Sequence, residues 1–159
     1  MPACHSCELL TQRDNGRAPL WDNIFRTDYW DVVHAYNTSW LGWLVVVARR
    51  HIAAIDEMTA AEAIELGTLL WQVSHALKRQ TGCAKTYVAQ FAEAPNHPHV
   101  HFHVVPRLPD QAADDIGVKI FRHLGVSLEQ RVSENQMMVL ASSLRRQLEN
   151  LRSSPDSHD

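Results

Sequence analysis

Apolar positions recur at helical spacing in the middle of the chain: Ala63, Leu66, Leu70, Val73 and Leu77 fall on one stripe. Thr59-Ala60-Ala61-Glu62 stands directly ahead of that stripe. The Thr and Glu side chains of such a capping box satisfy backbone donors of the first turn. Gly82 supplies the stop, and the pattern predicts a long helix over 60–81. Elsewhere the period shortens. Leu44-Val45-Val46-Val47 is an apolar, β-branched run that suits a central strand, closed by Arg49-Arg50-His51. Short strands are expected within 21–35, best at 29–35, and residues 36–39 read as a turn. Residues 85–91 read as a strand, 92–98 as a loop, and the segment after it as a second strand antiparallel to the first. A second helix is predicted over about 130–151, with Val132, Met137, Leu140, Leu144, Leu148 and Leu151 as its apolar positions. Residues 8–20 show no period, Asn15-Gly16 marks a turn, and 108–118 is acidic and loop-like.

The strand over about 99–106 alternates strictly, with His99, His101 and His103 set against Val100, Phe102 and Val104. A period of two places the imidazoles on one face, roughly 7 Å apart, and the apolar side chains on the other. Three core-facing histidines would each need a buried hydrogen-bond partner, so the row points to a pocket. The chain opens with Cys4-His5-Ser6-Cys7. A CxxC pair is either a redox motif, which belongs after a strand at the head of a helix, or half of a zinc site that needs two further ligands. No strand precedes this pair, and histidines are available elsewhere, which favours zinc. Cys83 and His75 have no ligand partner near them in sequence and read as structural.

Composition sets the limits. The chain has 159 residues, 45% hydrophobic and 21% charged, which suits one domain over 1–152 followed by a polar tail, 153–159, expected to be disordered. A formal net charge of -3 argues against a nucleic-acid binder while leaving room for a nucleotide ligand. No apolar run reaches the roughly 18 residues that span a bilayer, and the N-terminus has no secretion signal, so no membrane partner and a cytoplasmic location are expected. Three cysteines in such a chain favour metal or free thiols over disulfides.

His99-Val100-His101-Phe102-His103-Val104-Val105 followed by Pro106-Arg107 resembles the signature of the histidine triad family of nucleotide hydrolases and transferases, His-φ-His-φ-His-φ-φ with φ apolar. The 44–48 strand ending in two arginines and a histidine is similar to the strand that ends in a basic pair and a histidine there. The resemblance covers roughly 4–107, and the C-terminal helix looks like an extension found in some bacterial members. It implies an α+β fold: a five-stranded antiparallel sheet with one long helix, built into a homodimer. It also implies attack by the middle histidine, His101, on the α-phosphorus of an adenosine or guanosine phosphate derivative, through a covalent nucleotidyl-histidine. His99 and His103 would contact phosphate or hold the site, and the His99 carbonyl would fix the His101 tautomer. Gln90 and Asn96 stand where the family's amide and small polar phosphate contacts are usual. Members with an N-terminal CxxC are similar in binding one structural zinc, which here implies Cys4, Cys7, His51 and His99. Two departures stand out. Gly42-Trp43 replaces a usual Gly-His, and Ala35 stands where an acidic ribose contact is usual, leaving His34 or Tyr36 to take that role. Two other readings remain: a zinc hydrolase that uses the triplet as ligands, and a nucleotide-binding or interaction protein with weak catalysis, which Trp43 favours.

Overall fold

The computed structural model describes residues 4–153; the expected polar tail, apart from Ser153, lies outside them. The long helix, α2, spans Ala60–Thr81 as its pattern predicts. Thr59 Oγ1 accepts from the Glu62 amide at 3.2 Å, and the Glu62 carboxylate accepts from the Thr59 amide at 2.7 Å. Gly82 closes the helix at φ +65°, a left-handed conformation that costs a residue without Cβ little.

Five strands form one antiparallel sheet: β1 Phe25–Arg26, β2 Trp30–His34, β3 Leu44–Ala48, β4 Lys85–Ala89 and β5 His101–Arg107, in the order β1-β2-β3-β5-β4. One face carries Val32, Leu44, Val46, Phe102 and Val104. It is covered by Leu66, Leu69, Val73 and Leu77 of α2 and by Ala141, Leu144 and Leu148 of α3, Glu134–Ser153. The other face carries Val33, Val45, Val47 and Val105, packed with Trp43 and Ile120. On that second face His103 stands directly opposite Val45, and His101 opposite Val47.

Several boundaries differ from the sequence reading. Residues 8–20 are not featureless, because α1 runs His5–Asp14. Its buried face consists of Ser6, Leu10 and Arg13, so no apolar period announces it. Arg13 is tolerated there because Nη2 donates to Asp22 Oδ1 at 2.7 Å and Nε to the Asp22 carbonyl at 2.8 Å. The C-terminal helix starts at Glu134 and not near 130, because Ser133 and Gln136 cap it: the Gln136 amide donates to Ser133 Oγ, and the Ser133 amide to Gln136 Oε1. The first triad position also moves. β5 begins at His101, so His99 precedes the strand and does not share a face with the other two imidazoles. The reason lies in the backbone partners: the Val100 carbonyl accepts from Ala48 and its amide donates to Ile52, while the His99 amide turns back to the His97 carbonyl at 2.7 Å.

Candidate functional site

Two sites meet at the start of β5. The first is a cluster of Cys4, Cys7, His51 and His99, whose ligand atoms all lie within 4.8 Å of one another. Cys4 is the N-cap of α1 and Cys7 lies in its first turn, His51 follows β3, and His99 precedes β5. Three chain segments thus converge. His51 Nδ1 and His99 Nδ1 are 3.3 Å apart, Cys7 Sγ is 3.2 Å from His51 Nδ1 and 3.5 Å from His99 Nδ1, and Cys4 Sγ is 3.6 Å from His99 Nδ1. A tetrahedral zinc with ordinary Zn–N and Zn–S bonds has edges of about 3.3 Å between nitrogens and about 3.6 Å between nitrogen and sulfur. The four spacings given lie within about 0.4 Å of those edges, so the four donors fit zinc. His99 Nε2 donates to the Ala48 carbonyl at 2.7 Å, which leaves Nδ1 with its lone pair toward the cluster. Burial and the neighbouring Cys4 push the Cys7 thiol up to about 11.

The second site is a cavity of about 270 Å³ on the Val45–Val47 face of the sheet. Its floor is Val33, Val45 and Val47; α1 covers it through Leu9 and Arg13; Phe91, Glu93 and Phe121 form the far wall. His101 and His103 project into it from β5. His101 Nδ1 donates to the His99 carbonyl at 2.7 Å. His103 Nδ1 accepts from the Trp43 indole N–H at 3.0 Å. Burial, with His101 nearby, holds the His103 imidazole down at about 3. His97 stands at the cavity edge with Nδ1 2.9 Å from Ser6 Oγ, and burial lowers its affinity for a proton.

The structure treats the sequence candidates unequally. His101, His103, His34 and Tyr36 line the cavity; Gln90, Asn96 and His99 do not. The exposed Asn96 bounds a shallower surface hollow with His5, Glu8 and Pro95. His34 is a poor ribose contact: Nδ1 donates to the Ala35 carbonyl at 2.8 Å and Nε2 accepts from the Gly42 amide at 2.9 Å, so both nitrogens are occupied. Burial lowers its pKa to about 4, which keeps it neutral in that role. Arg49 and Arg50 do not reach the cavity. Arg50 holds Glu62 with two hydrogen bonds, and Arg49 donates to the Thr27 and Asp28 carbonyls. Arg13, Asp22, His97 and Phe121, all in the wall, were not foreseen from the sequence. The one available signal was the Ser6-Leu9/Leu10-Arg13 spacing, which fits a helix only once a charged residue is allowed on the buried face.

A Ser39–His123–Asp115 chain also exists, with Ser39 Oγ 2.8 Å from His123 Nδ1 and His123 Nε2 2.8 Å from Asp115 Oδ1. Its neighbouring amides are taken: Ser39 N–H donates to the His123 carbonyl and Trp40 N–H to Thr38 Oγ1. With those two amides already bonded, this chain ties the 113–123 segment to the turn before β3.

No protein-family model matches the chain, and no curated protein matches it. Solved structures do. A hypothetical histidine triad nucleotide-binding protein from Sulfolobus tokodaii superposes with a TM-score of 0.69 at 13% identity, over 96% of this chain and 99% of that one. A zinc-bound histidine triad family protein from Mycobacterium smegmatis gives 0.64 at 17% identity, over 95% and 96%. A histidine triad protein from Bradyrhizobium japonicum gives 0.65 at 24% identity, over 79% and 89%. The architecture of this chain is therefore the α+β fold of the histidine triad proteins.

Proposed function

We propose that the chain is a histidine triad nucleotidyl hydrolase or transferase acting at the α-phosphorus of an adenosine or guanosine phosphate derivative, such as a phosphoramidate or a dinucleoside polyphosphate. The observation that carries this reading is the His101 tautomer. A carbonyl oxygen only accepts, so the 2.7 Å bond to the His99 carbonyl puts the proton on Nδ1 and leaves the Nε2 lone pair for the cavity. Attack forms an Nε2–phosphorus bond as the bond to the leaving group breaks. The leaving group departs with the bonding pair and takes a proton from solvent. Water then attacks phosphorus and gives up a proton to solvent, the P–N bond breaks with its pair returning to Nε2, and the nucleotide is released. His103 contacts the phosphoryl group, and His99 holds the nucleophile through its carbonyl. The apolar floor of Val33, Val45 and Val47 suits the base and sugar, and Tyr36 and Asn37 are the polar rim available to the ribose.

Cys4, Cys7, His51 and His99 hold one zinc in this reading. Four protein ligands close its coordination, so it supplies structure by tying α1 to the ends of β3 and β5. His101 and His103 stand outside that donor set, which disfavours a catalytic metal on the triplet. A homodimer is supported by the free edge of β4, where Val88 is 47% exposed, and by Trp71 and Ile64 of α2 at 49% and 74%. No described helix is long and apolar enough to cross a membrane.

The test is a panel of α-labelled phosphoramidates, dinucleoside polyphosphates and nucleotide sugars with rapid acid quench. Turnover together with a label trapped on the wild type, and lost in His101→Ala, supports the proposal. No turnover of any member of the panel overturns it.

A further inference from the structure

We infer that Trp43 is a positioning residue: its indole N–H fixes His103 as the neutral tautomer protonated on Nε2, so that the cavity receives a lone pair from His101 and an N–H from His103. The chemical role assigned to that N–H rests on the proposed function, while the tautomer rests on geometry alone.

An indole nitrogen donates and never accepts. Trp43 Nε1 lies 3.0 Å from His103 Nδ1, so Nδ1 must be the unprotonated nitrogen and the ring proton sits on Nε2. Neither ring has room to turn away. Trp43 is fully buried and His103 is 7% exposed. The edge of Trp43 meets His103 at 5.8 Å between centroids, and Phe121 stands edge-on to both, at 5.1 Å from Trp43 and 5.3 Å from His103. A second proton on His103 would set an N–H against the indole N–H. That adds to the burial that already holds the ring at about 3, with His101 the nearby titratable group.

The neighbouring ring is in the opposite state. His101 carries its proton on Nδ1, tied to the His99 carbonyl, and its centroid is 4.9 Å from that of His103. Two adjacent imidazoles of identical composition are thereby made different by what each Nδ1 touches, a carbonyl oxygen in one case and an indole N–H in the other. A phosphoryl group needs this pair: a lone pair for phosphorus and a fixed donor for an oxygen that gains charge. Trp43 therefore does not act as a base on the nucleophile. It prevents His103 from becoming a base, an acid or a competing nucleophile.

The experiment is nitrogen-resolved NMR of histidine-labelled protein, paired with kinetics. In the wild type, His103 should show one tautomer, protonated on Nε2, that does not titrate between about pH 5 and 8. Trp43→Phe removes the donor. It should give a tautomer mixture at His103 and lower kcat about tenfold or more, with KM changed far less. Because Trp43→Phe also leaves a gap in the core, β-(3-benzothienyl)alanine at position 43 is the second variant. It keeps the bicyclic shape and replaces only the N–H, so it should reproduce both effects with the melting temperature nearly unchanged. A wild-type His103 protonated on Nδ1 would overturn the inference. So would a benzothienyl variant with unaltered tautomer and kcat. If the wild type turns over no substrate, the reading of the reaction fails, and the NMR result still decides the tautomer.

Discussion

The carbonyl oxygen of His99 lies 2.7 Å from Nδ1 of His101, while the ring of the same His99 belongs to the Cys4–Cys7–His51 cluster. One residue thus connects the Cys–His cluster to the proposed nucleophile. Its ring is held from both sides, by the cluster at Nδ1 and by the Ala48 carbonyl at Nε2. Its carbonyl can be no better placed than its ring.

Loss of one thiol should therefore show in two ways. Cys4→Ala removes a ligand from a closed site, and metal binding energy is folding energy when the site does not exist in the unfolded chain. Metal analysis should find less than one zinc per chain, and the melting temperature should fall by several degrees. In molecules that remain folded, kcat should also fall, since His99 no longer holds the His101 tautomer firmly. A Cys4→Ala protein with full zinc content and an unchanged melting curve would disprove the assignment of the cluster.

His101→Ala separates folding from chemistry. The side chain faces the cavity and lies outside the metal donors, so the melting temperature should stay within a few degrees of wild type. Turnover should drop by about 10⁴ or more, because the proposed covalent route through Nε2 disappears. Steady-state kinetics alongside thermal melts measures both.

Stability should decline on mild acidification because of His34. Its folded pKa of about 4 lies below the ordinary value of 6.5, and burial is the main cause. Above pH 6.5 both folded and unfolded forms are neutral there and the contribution is complete. As the pH falls from 6.5 toward 4, the unfolded chain binds a proton that the folded chain refuses. Each such group then lowers stability by about 1.4 kcal/mol per pH unit, and His103 adds to the same trend. Urea denaturation at stepped pH should show the slope. His34→Gln, which can keep a donor and an acceptor, should flatten it.

Asp31 should be among the least replaceable residues away from the cavity. It is fully buried, accepts from Arg26 Nε at 2.7 Å, and has Arg13 Nη1 at 3.6 Å and Arg49 Nε at 3.8 Å. Arg13 Nη1 has no hydrogen-bond partner, so that carboxylate is its nearest compensation. Asp31→Asn removes the second of the two carboxylates beside the buried Arg13 guanidinium, leaving Asp22 alone, and should cost about 3 kcal/mol, read as a lower urea midpoint. An unchanged midpoint would mean that Asp22 alone neutralises Arg13.

The sequence by itself determined the parts of this protein that depend on neighbours a few residues apart. α2 and its limits follow from a 3.6-residue stripe, a capping box and a glycine. β3 follows from an apolar run, and the alternation of β5 puts His101 and His103 on one face. The Cys4–Cys7 pair pointed to zinc by itself, whereas His51 and His99 entered as its partners only through the histidine triad resemblance. Tertiary structure decided the rest. α1 could not be seen because its buried face contains Arg13, acceptable only beside Asp22 and Asp31, which the chain places 9 and 18 residues later. His99 left the strand because Val100 bonds to Ala48 and Ile52, a choice made across about 50 residues. The ring of His34 was fixed by the Gly42 amide, and Trp43 was brought to His103 from the adjacent strand edge. Periodicity records which face a side chain takes. It does not record which single atom on another segment will meet it, and that contact sets the tautomer and hence the chemistry of each histidine here.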